Sequence, residues 1–342
     1  MRKALCVGID YYGPSSSLSF CVSDAKSVAK ALARHANRTV NFDILPLYGD
    51  VKRRAFHMGN DPLTGEAIYE KKVVGGTPIP GKLLKHAVEK LFDSTMTLDV
   101  ALFYFAGHGY ADANGGYLCA SDGDHLSLDY VMTLASNSRA VHKIIILDSC
   151  HSGYAGNLVK AGDLCRLPNN TVVLASCTER GTAADGCFTQ MMVDALMGGA
   201  MNLMGEVSPG GVYDYLDRAL GGWDQRPVLK ANIENFVCLR KNKPPIRITE
   251  LRQITRIFSK PDQDKPLDPS YDEDKRNVTD EKYMKHNPKK ERIFAILCKY
   301  ATLNLVVPVD AASMYQAAAD SKACRLTPLG RYFWQLVKDD RI

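Results

Sequence analysis

Residues 99–109 read DVALFYFAGHG, and residues 142–153 read HKIIILDSCHSG. Each segment begins as a near-continuous apolar run and ends in a short turn that contains glycine and polar residues. Such runs are typical of strands buried on both faces, which occur in parallel sheets covered by helices. The first run therefore predicts a strand that ends just before His108, and the second predicts a strand that ends just before Cys150.

The surrounding sequence alternates between strand patterns and helix patterns. Further apolar runs predict strands at residues 4–9, 42–47 and 171–175, and apolar residues at helical spacing predict helices at 22–35, 82–92, 188–197 and 212–220. We therefore predict an α/β fold with a mostly parallel central sheet and helices on both faces. Because such folds bind ligands at the carboxyl ends of their strands, His108 and Cys150 are expected at one functional edge.

A cysteine and a histidine at this edge suggest nucleophilic catalysis. A thiol nucleophile needs a base within reach and donors for the developing oxyanion. Glycines on both sides of His108 allow a tight turn and a close approach of the backbone to a substrate. We predict Cys150 as nucleophile, His108 as its base, and the backbone N–H groups of Gly109 and Cys150 as oxyanion donors. The alternative is an inert pair, since most cysteines are not catalytic.

The two strand ends also resemble known catalytic signatures. Phe105-Ala-Gly-His-Gly109 and Leu147-Asp-Ser-Cys-His-Ser-Gly153 are similar to the paired motifs of caspase-like cysteine peptidases, metacaspases and bacterial caspase homologues in particular. Residues 19–25, 172–177, 186–190 and 225–228 resemble the same family. The resemblance covers residues 1–240 and implies a caspase-like three-layer sandwich. It also implies that the base comes from the earlier motif, which leaves His151 as a structural neighbour.

The resemblance to metacaspases implies an acidic pocket for Arg or Lys before the cleaved bond. The family's pocket residues match Cys21, Asp24 and Asp148, whereas a position that often holds serine is Ala106 here. Carboxylates in a pocket favour a cationic side chain and penalise an anionic one. In the structural alternative, Asp24 caps a helix that begins near Ala25 and Asp148 only orders its turn.

Calcium is a further implication of the resemblance, since metacaspases often require it. Asp122 and Asp124 are candidate ligands, because calcium prefers several carboxylates. The family's aspartate just past the nucleophile looks like Asn157 here, and solvated loop aspartates are the default interpretation. We therefore predict no cofactor and assign no metal site.

Composition limits the class of protein. The 342 residues are 46% hydrophobic and 24% charged with a net charge of +5, as in ordinary soluble domains. The first apolar run ends at Asp10 and is too short for a signal peptide, and no run is long enough to span a membrane. The ten cysteines form no Cys-x-x-Cys pair, which favours reduced thiols over a zinc site. We therefore predict a cytoplasmic protein without a membrane partner.

The composition changes after about residue 240, which predicts two domains. The first is a caspase-like peptidase domain at residues 1–240, and the second is an accessory domain at 241–342 with a polar linker or loop near 260–290. A helix pattern, a strand-like segment at residues 313–325 and a helix with Thr327 as cap and Pro328 at its first position predict a mainly helical module, compatible with a winged helix.

The charge of this second domain argues against nucleic acid as its main partner. From Pro244 onward the chain has 18 lysines and arginines against 14 acidic residues, an excess too small to establish nucleic-acid binding. We expect the domain to recruit a regulatory protein partner instead.

The leading hypothesis is a cysteine endopeptidase that cuts protein or peptide substrates after Arg or Lys. The resemblance alone implies a role in a bacterial stress, defence or cell-death pathway. Two alternatives remain: a catalytically silent caspase-fold scaffold, and a nucleic-acid-binding regulator that acts through the C-terminal domain. The presence of both Cys150 and His108 argues against the scaffold.

Overall fold

A computed structural model describes residues 1–61, 64, 66–112, 115–149, 167–176, 187–220, 226–274, 283 and 285–342. Contacts divide the chain into two units, Met1–Lys243 and Pro244–Ile342. The predicted domain boundary lies between residues 240 and 241.

The first unit contains most of the strands. In chain order they are β1 (Arg2–Ile9), β2 (Asp43–Gly49), β3 (Val51–Asn60), β4 (Ala67–Gly76), β5 (Val100–Gly107), β6 (Gly109–Asp112), β7 (Gly115–Cys119), β8 (His125–Ser127), β9 (His142–Ser149), β10 (Thr171–Ala175), β11 (Glu206–Val207), β12 (Val228–Asn232) and β13 (Arg240–Lys241). The helices of this unit are α1 (Cys21–Ala33), α2 (Gly81–Leu91), α3 (Leu128–Asn137), α4 (Cys187–Asp194), which continues as a π-helical turn at Ala195–Gly199, and α5 (Pro209–Leu220).

Six of these strands form the central sheet, in the order β12-β10-β9-β5-β1-β2. All neighbours are parallel except β12, which runs antiparallel to β10 at one edge. The predicted mostly parallel sheet is confirmed. Its parallel strands bring the ends of β1, β5, β9 and β10 to the same edge.

Helices cover both faces of the sheet, because successive strand residues point to opposite sides. On one face, Leu102 and Ile144 pack in a core with α1, α4 and α5. On the other face, Phe103 and Ile145 pack in a second core with α2 and α3. This arrangement confirms the three-layer α/β prediction and explains the apolar runs within β5 and β9.

Helix α1 is fixed against the carboxyl end of β1 by close contact. Its buried residues recur at helical spacing, among them Ala25, Val28 and Leu32. The start of the helix packs so tightly on Gly8 that a Cβ atom there would lie 2.3 Å from the carbonyl oxygen of Cys21. Gly8 therefore allows the approach that places Cys21 and Asp24 beside the edge of the sheet.

Three small antiparallel sheets accompany the central one in this unit. They are β6-β7-β8, the β3-β4 hairpin and β11-β13. The first of them continues directly from β5 with only His108 between the two strands. The β3-β4 hairpin takes up most of the described residues between β2 and α2.

The second unit combines helices with a small sheet. Its elements are α6 (Ile248–Leu251), α7 (Ile254–Ile257), β14 (Lys265–Pro266), a 3₁₀ turn (Pro269–Tyr271), α8 (Pro288–Thr302), β15 (Val306–Val309), α9 (Met314–Ala319), β16 (Ala323–Leu326) and α10 (Pro328–Lys338). The antiparallel order β14-β16-β15 places β16 in the centre. The winged-helix assignment of this unit stays a prediction.

The predicted start of the last helix is confirmed. The Thr327 hydroxyl accepts a hydrogen bond from the Gly330 N–H at 3.0 Å, and Pro328 occupies the first helical position. The prediction of a strand-like segment over residues 313–325 is wrong for its first half. Ser313 caps helix α9 by accepting from the Gln316 N–H, and only Ala323–Leu326 pairs as a strand. A serine cap followed by alanines satisfies helix geometry better than strand pairing.

We expect Gly8→Ala to destabilise the first unit. The added Cβ would meet backbone at 2.3 Å, which forces α1 away from β1 and costs about 1–3 kcal/mol of unfolding free energy. The matched control is Gly210→Ala in α5, where an added Cβ has open space and alanine favours the helix. Urea denaturation of both variants tests this, and equal stability of the two would contradict the packing constraint.

Candidate active site

The carboxyl ends of β5 and β9 lie side by side. Their register pairs Ala106 with Asp148 and Gly107 with Ser149. Neighbouring strands are about 4.8 Å apart, so a residue that follows one strand lies close to the end of the other. His108 follows Gly107 and therefore lies beside the end of β9.

The predicted nucleophile follows Ser149 directly in the sequence. Cys150 lies outside the described residues, and so do His151 and Asn157. Of the predicted dyad, the structure therefore describes His108 and the strand end that precedes Cys150.

A carbonyl oxygen orients the His108 ring. Its Nε2 atom lies 2.9 Å from the backbone oxygen of Ser16. Because a carbonyl oxygen only accepts hydrogen bonds, Nε2 must carry a proton in this contact. In the neutral ring, Nδ1 is then the basic nitrogen that can take a proton from another group.

Tyr12 holds the backbone and the ring of His108 in place. The His108 N–H donates to the Tyr12 hydroxyl at 2.9 Å, and this hydroxyl donates to the carbonyl oxygen of Cys119 at 3.4 Å. The two rings lie 4.5 Å apart between centroids, tilted by 55°. A Cβ atom on Gly107 would lie 2.4 Å from the Tyr12 hydroxyl, so only glycine allows this contact.

Burial raises the pKa of Tyr12 well above its ordinary value. The phenol therefore keeps its proton at neutral pH and can donate to Cys119 while it accepts from His108. Tyr12 acts as a fixed bridge between the turn after β5 and strand β7.

Sequence reasoning missed both Tyr12 and Ser16. The available signal was their position in the chain, since both follow the end of β1, and β1 is the direct neighbour of β5. Any polar residue in that turn reaches the same edge of the sheet as His108.

Gly109 is the first residue of β6, next to His108, and pairs with Leu118 of β7. This strand pairing fixes the backbone at the position where the sequence predicts an oxyanion donor. That role of Gly109 stays a prediction.

Asp148 belongs to a buried chain of hydroxyl groups. The Thr189 hydroxyl lies 2.5 Å from Asp148 Oδ2 and 2.6 Å from the Tyr104 hydroxyl. Because a carboxylate only accepts, Thr189 donates to Asp148 and Tyr104 donates to Thr189. Thr189 is 1% exposed and Tyr104 is fully buried, so both depend on this chain for hydrogen bonding.

Two of the predicted pocket residues act on the Tyr104 hydroxyl. The pKa of Tyr104 is raised well above its ordinary value, mainly by burial. The charge of Asp148, whose carboxylate is joined to Tyr104 through Thr189, adds to this rise, and the charge of Asp24 adds less. A substrate pocket formed by Cys21, Asp24 and Asp148 stays a prediction.

The helix cap proposed as a structural role for Asp24 belongs to another residue. Helix α1 begins at Cys21, and Asp24 lies in its first turn. Asp10, only 4% exposed at the end of β1, accepts the Cys21 N–H at 2.9 Å. Burial raises the pKa of Asp10, while backbone hydrogen bonds from Cys21 and Val22 oppose the rise.

Ala106 is 1% exposed and packs in the core with α1. Its methyl group occupies the position where the related peptidases often have serine, and it contributes no polar group to the pocket.

The candidate calcium ligands have a backbone role. Asp122 accepts the Gly81 N–H at the start of α2 through both carboxylate oxygens, at 3.1 and 3.2 Å. Its Oδ1 atom also accepts the Asp124 N–H at 3.2 Å. Within the described ranges, no group of three or more histidine, cysteine or acidic residues could hold a metal ion. A calcium site stays unassigned.

The fold and this edge agree with a family match. The family model of the caspase domain matches residues 1–219, well over half of the chain. The chain therefore belongs to the caspase-domain family.

Two solved structures to which the chain is similar are both described as caspase-1. The chain is 12% identical to caspase-1 from Spodoptera frugiperda, with 70% of this chain and 90% of that chain covered and a TM-score of 0.41. A structure described as pro-sf-caspase-1 gives the same identity and TM-score, with 70% and 92% covered. The chain matches no curated protein.

Among the described residues, no helix has both the length and the apolar character needed to cross a membrane.

We expect Thr189→Val to destabilise the protein by about 1–3 kcal/mol. The change keeps the shape but leaves the buried Tyr104 hydroxyl without its acceptor. Thr189→Ser, which retains the hydroxyl, is the matched control. The double variant Tyr104→Phe/Thr189→Val should recover part of the loss, because it removes both ends of one hydrogen bond. Chemical denaturation measures all three, and a wild-type stability of Thr189→Val would refute the hydroxyl chain.

Proposed function

We propose that the chain is a cysteine endopeptidase in which His108 and Cys150 form the catalytic dyad and which cuts after Arg or Lys. The orientation of His108 carries this proposal. Its Nε2 is bound by the Ser16 oxygen at the carboxyl edge of the sheet, beside the strand end that precedes Cys150. The Nε2 contact leaves Nδ1 as the basic nitrogen of the neutral ring, as a base in the proposed dyad requires.

The proposed chemistry begins with proton transfer from the Cys150 thiol to His108 Nδ1. The thiolate then attacks the peptide carbonyl carbon, and the backbone N–H groups of Gly109 and Cys150 stabilise the oxyanion. His108 returns the proton to the leaving amine as the C–N bond breaks. Water then hydrolyses the thioester and restores the thiol.

The fixed environment of His108 supports these steps. The Ser16 oxygen and the Tyr12 ring hold the imidazole, so proton transfer needs little reorganisation. The Ser16 oxygen also accepts from the ring when it becomes positively charged, which stabilises the ion pair with the thiolate.

The acidic neighbourhood of Asp148 and Asp24 supports the basic specificity. Both carboxylates influence the same buried phenol of Tyr104, so their charges act on one region. A guanidinium or ammonium group of a substrate would gain from these charges, and a substrate carboxylate would be repelled. Thr189 directs the Asp148 carboxylate toward a fixed orientation.

The second unit is proposed to recruit a regulatory protein partner. Its buried residues include Leu297 on α8 and Leu326 on β16, and the proposed mechanism uses no residue of this unit. Cytoplasmic action is part of the same proposal. So is a bacterial stress, defence or cell-death pathway, which the family resemblance alone implies.

We expect Cys150→Ala to reduce cleavage of a fluorogenic Arg peptide by at least about a thousandfold. His108→Ala should cost nearly as much, because the two groups act as a unit, whereas His151→Ala should retain substantial activity. The assay is run with and without calcium, and circular dichroism checks that each variant is folded. Full activity of Cys150→Ala would refute the dyad. A wild-type protein that cuts no peptide would favour the silent scaffold.

We expect Arg and Lys peptides to be cut far faster than Asp peptides. Asp148→Asn should lower kcat/KM for Arg peptides by about a hundredfold, the usual cost of removing one partner of a desolvated charge pair. Asp43→Asn is the matched control, since it removes an exposed charge at the amino end of β2. Initial rates on peptides that differ only before the cleaved bond provide the measurement. A clear preference for Asp would overturn the basic pocket.

A further inference from the structure

The β3-β4 hairpin exposes apolar side chains that no layer of the fold covers. Phe56, Met58, Ile68, Tyr69 and Val74 are between 39% and 61% exposed. A two-stranded ribbon has little stability of its own in water, and exposed apolar groups on it favour contact with a partner.

The same hairpin concentrates positive charge. Lys52, Arg53 and Arg54 lie on β3, and Lys71 and Lys72 lie on β4. The register places Arg54 directly opposite Lys72, so these two side chains lie on the same face of the ribbon, whereas Lys71 lies on the other face. Like charges directly opposite each other destabilise a strand pair.

Little within the protein compensates this charge. The one carboxylate on the two strands is Glu70, which pairs with Lys72 at 3.1 Å. Across the described ranges of the chain, Arg54 takes part in no ion pair. The hairpin therefore retains a repulsion that a negatively charged partner would relieve.

The apolar side chains indicate a protein rather than a nucleic acid. Single-stranded nucleic acid is bound by open aromatic faces on which bases stack. Here the His57 and Tyr69 rings lie against each other at 5.5 Å, and the Arg54 guanidinium lies over Phe56. The remaining exposed groups, among them Met58 and Ile68, are aliphatic and suit apolar side chains of a protein.

The hairpin also contacts the loop that orients His108. Arg53 donates to the Leu18 carbonyl oxygen at 3.0 Å and to the Ser19 hydroxyl at 2.8 Å. This loop contains Ser16, whose oxygen binds His108. The hairpin begins directly after the carboxyl end of β2, so it lies at the same edge of the sheet as the candidate active site.

We propose that the β3-β4 hairpin is a docking surface for an acidic, partly apolar segment of a partner protein. Acidic side chains of the segment bind Arg54 and Lys72, and its apolar side chains cover Phe56 and Ile68 on the same face. A protein held there lies beside the candidate active site, while its docking residues remain outside the pocket around Asp148.

Binding of a labelled short peptide of Glu, Asp, Leu and Phe tests the proposal. The full chain carries Cys150→Ala, so the probe stays intact whether or not the protein is a peptidase. Fluorescence anisotropy should show binding that weakens as salt rises, because exposed charge pairs are screened. A matched peptide with Gln and Asn in place of the acids should bind at least about tenfold more weakly.

Two charge-reversal variants locate the surface. Arg54→Glu/Lys72→Glu should weaken binding of the acidic peptide by at least about tenfold. Lys82→Glu/Lys90→Glu, which makes the same charge change on α2, should bind like the parent. If the hairpin reversal impairs folding, Arg54→Gln/Lys72→Gln replaces it, because that change removes the like-charge repulsion. In the wild-type background, the hairpin variants should cleave short peptides at the parent rate.

Several results would overturn the docking surface. These are no binding of the acidic peptide at low salt, equal loss in the two reversal variants, or hairpin-dependent binding of a single-stranded oligonucleotide in place of the peptide. A hairpin-dependent dimer in gel filtration would assign the surface to a second copy of the chain instead.

Discussion

The parallel pairing of β5 with β9 is the constraint on which the candidate site depends. Because the register sets Gly107 beside Ser149, the residues that follow the two strands belong to one edge. Apolar residues on both faces of each strand hold this register. A slip by one residue would turn each side chain to the opposite face of the sheet, where it would not fit the other core. Core packing therefore places the ends of the two motifs side by side, although the motifs are far apart in the chain.

A second set of constraints comes from the turn after β1. This turn supplies Tyr12 and Ser16, which hold the backbone and the ring of His108. Gly107 allows the Tyr12 hydroxyl to approach, and Gly8 allows the start of α1 to approach. Both glycines are therefore needed at this edge because they have no side chain. The turn after β1, a strand that carries neither predicted dyad residue, fixes the position and the ring orientation of His108.

Charge is distributed around this edge with opposite signs. The charges of Asp148 and Asp24 raise the pKa of Tyr104, whereas strands β3 and β4 carry five lysines and arginines and one acid, Glu70. Arg53 connects the basic hairpin to the loop that contains Ser16. In the proposed function, a substrate would present a basic residue to Asp148 and an acidic segment to the hairpin.

Local sequence was enough to predict the α/β class, the buried strands that end at Gly107 and Ser149, and the cap of the last helix at Thr327. These features depend on local periodicity and on residues next to one another in the chain. The tertiary structure alone decided that Asp10 caps α1, that Asp122 binds the start of α2, and that Tyr12 and Ser16 hold His108. Those contacts join residues far apart in sequence, and their partners follow only from strand order and register, which no local pattern encodes.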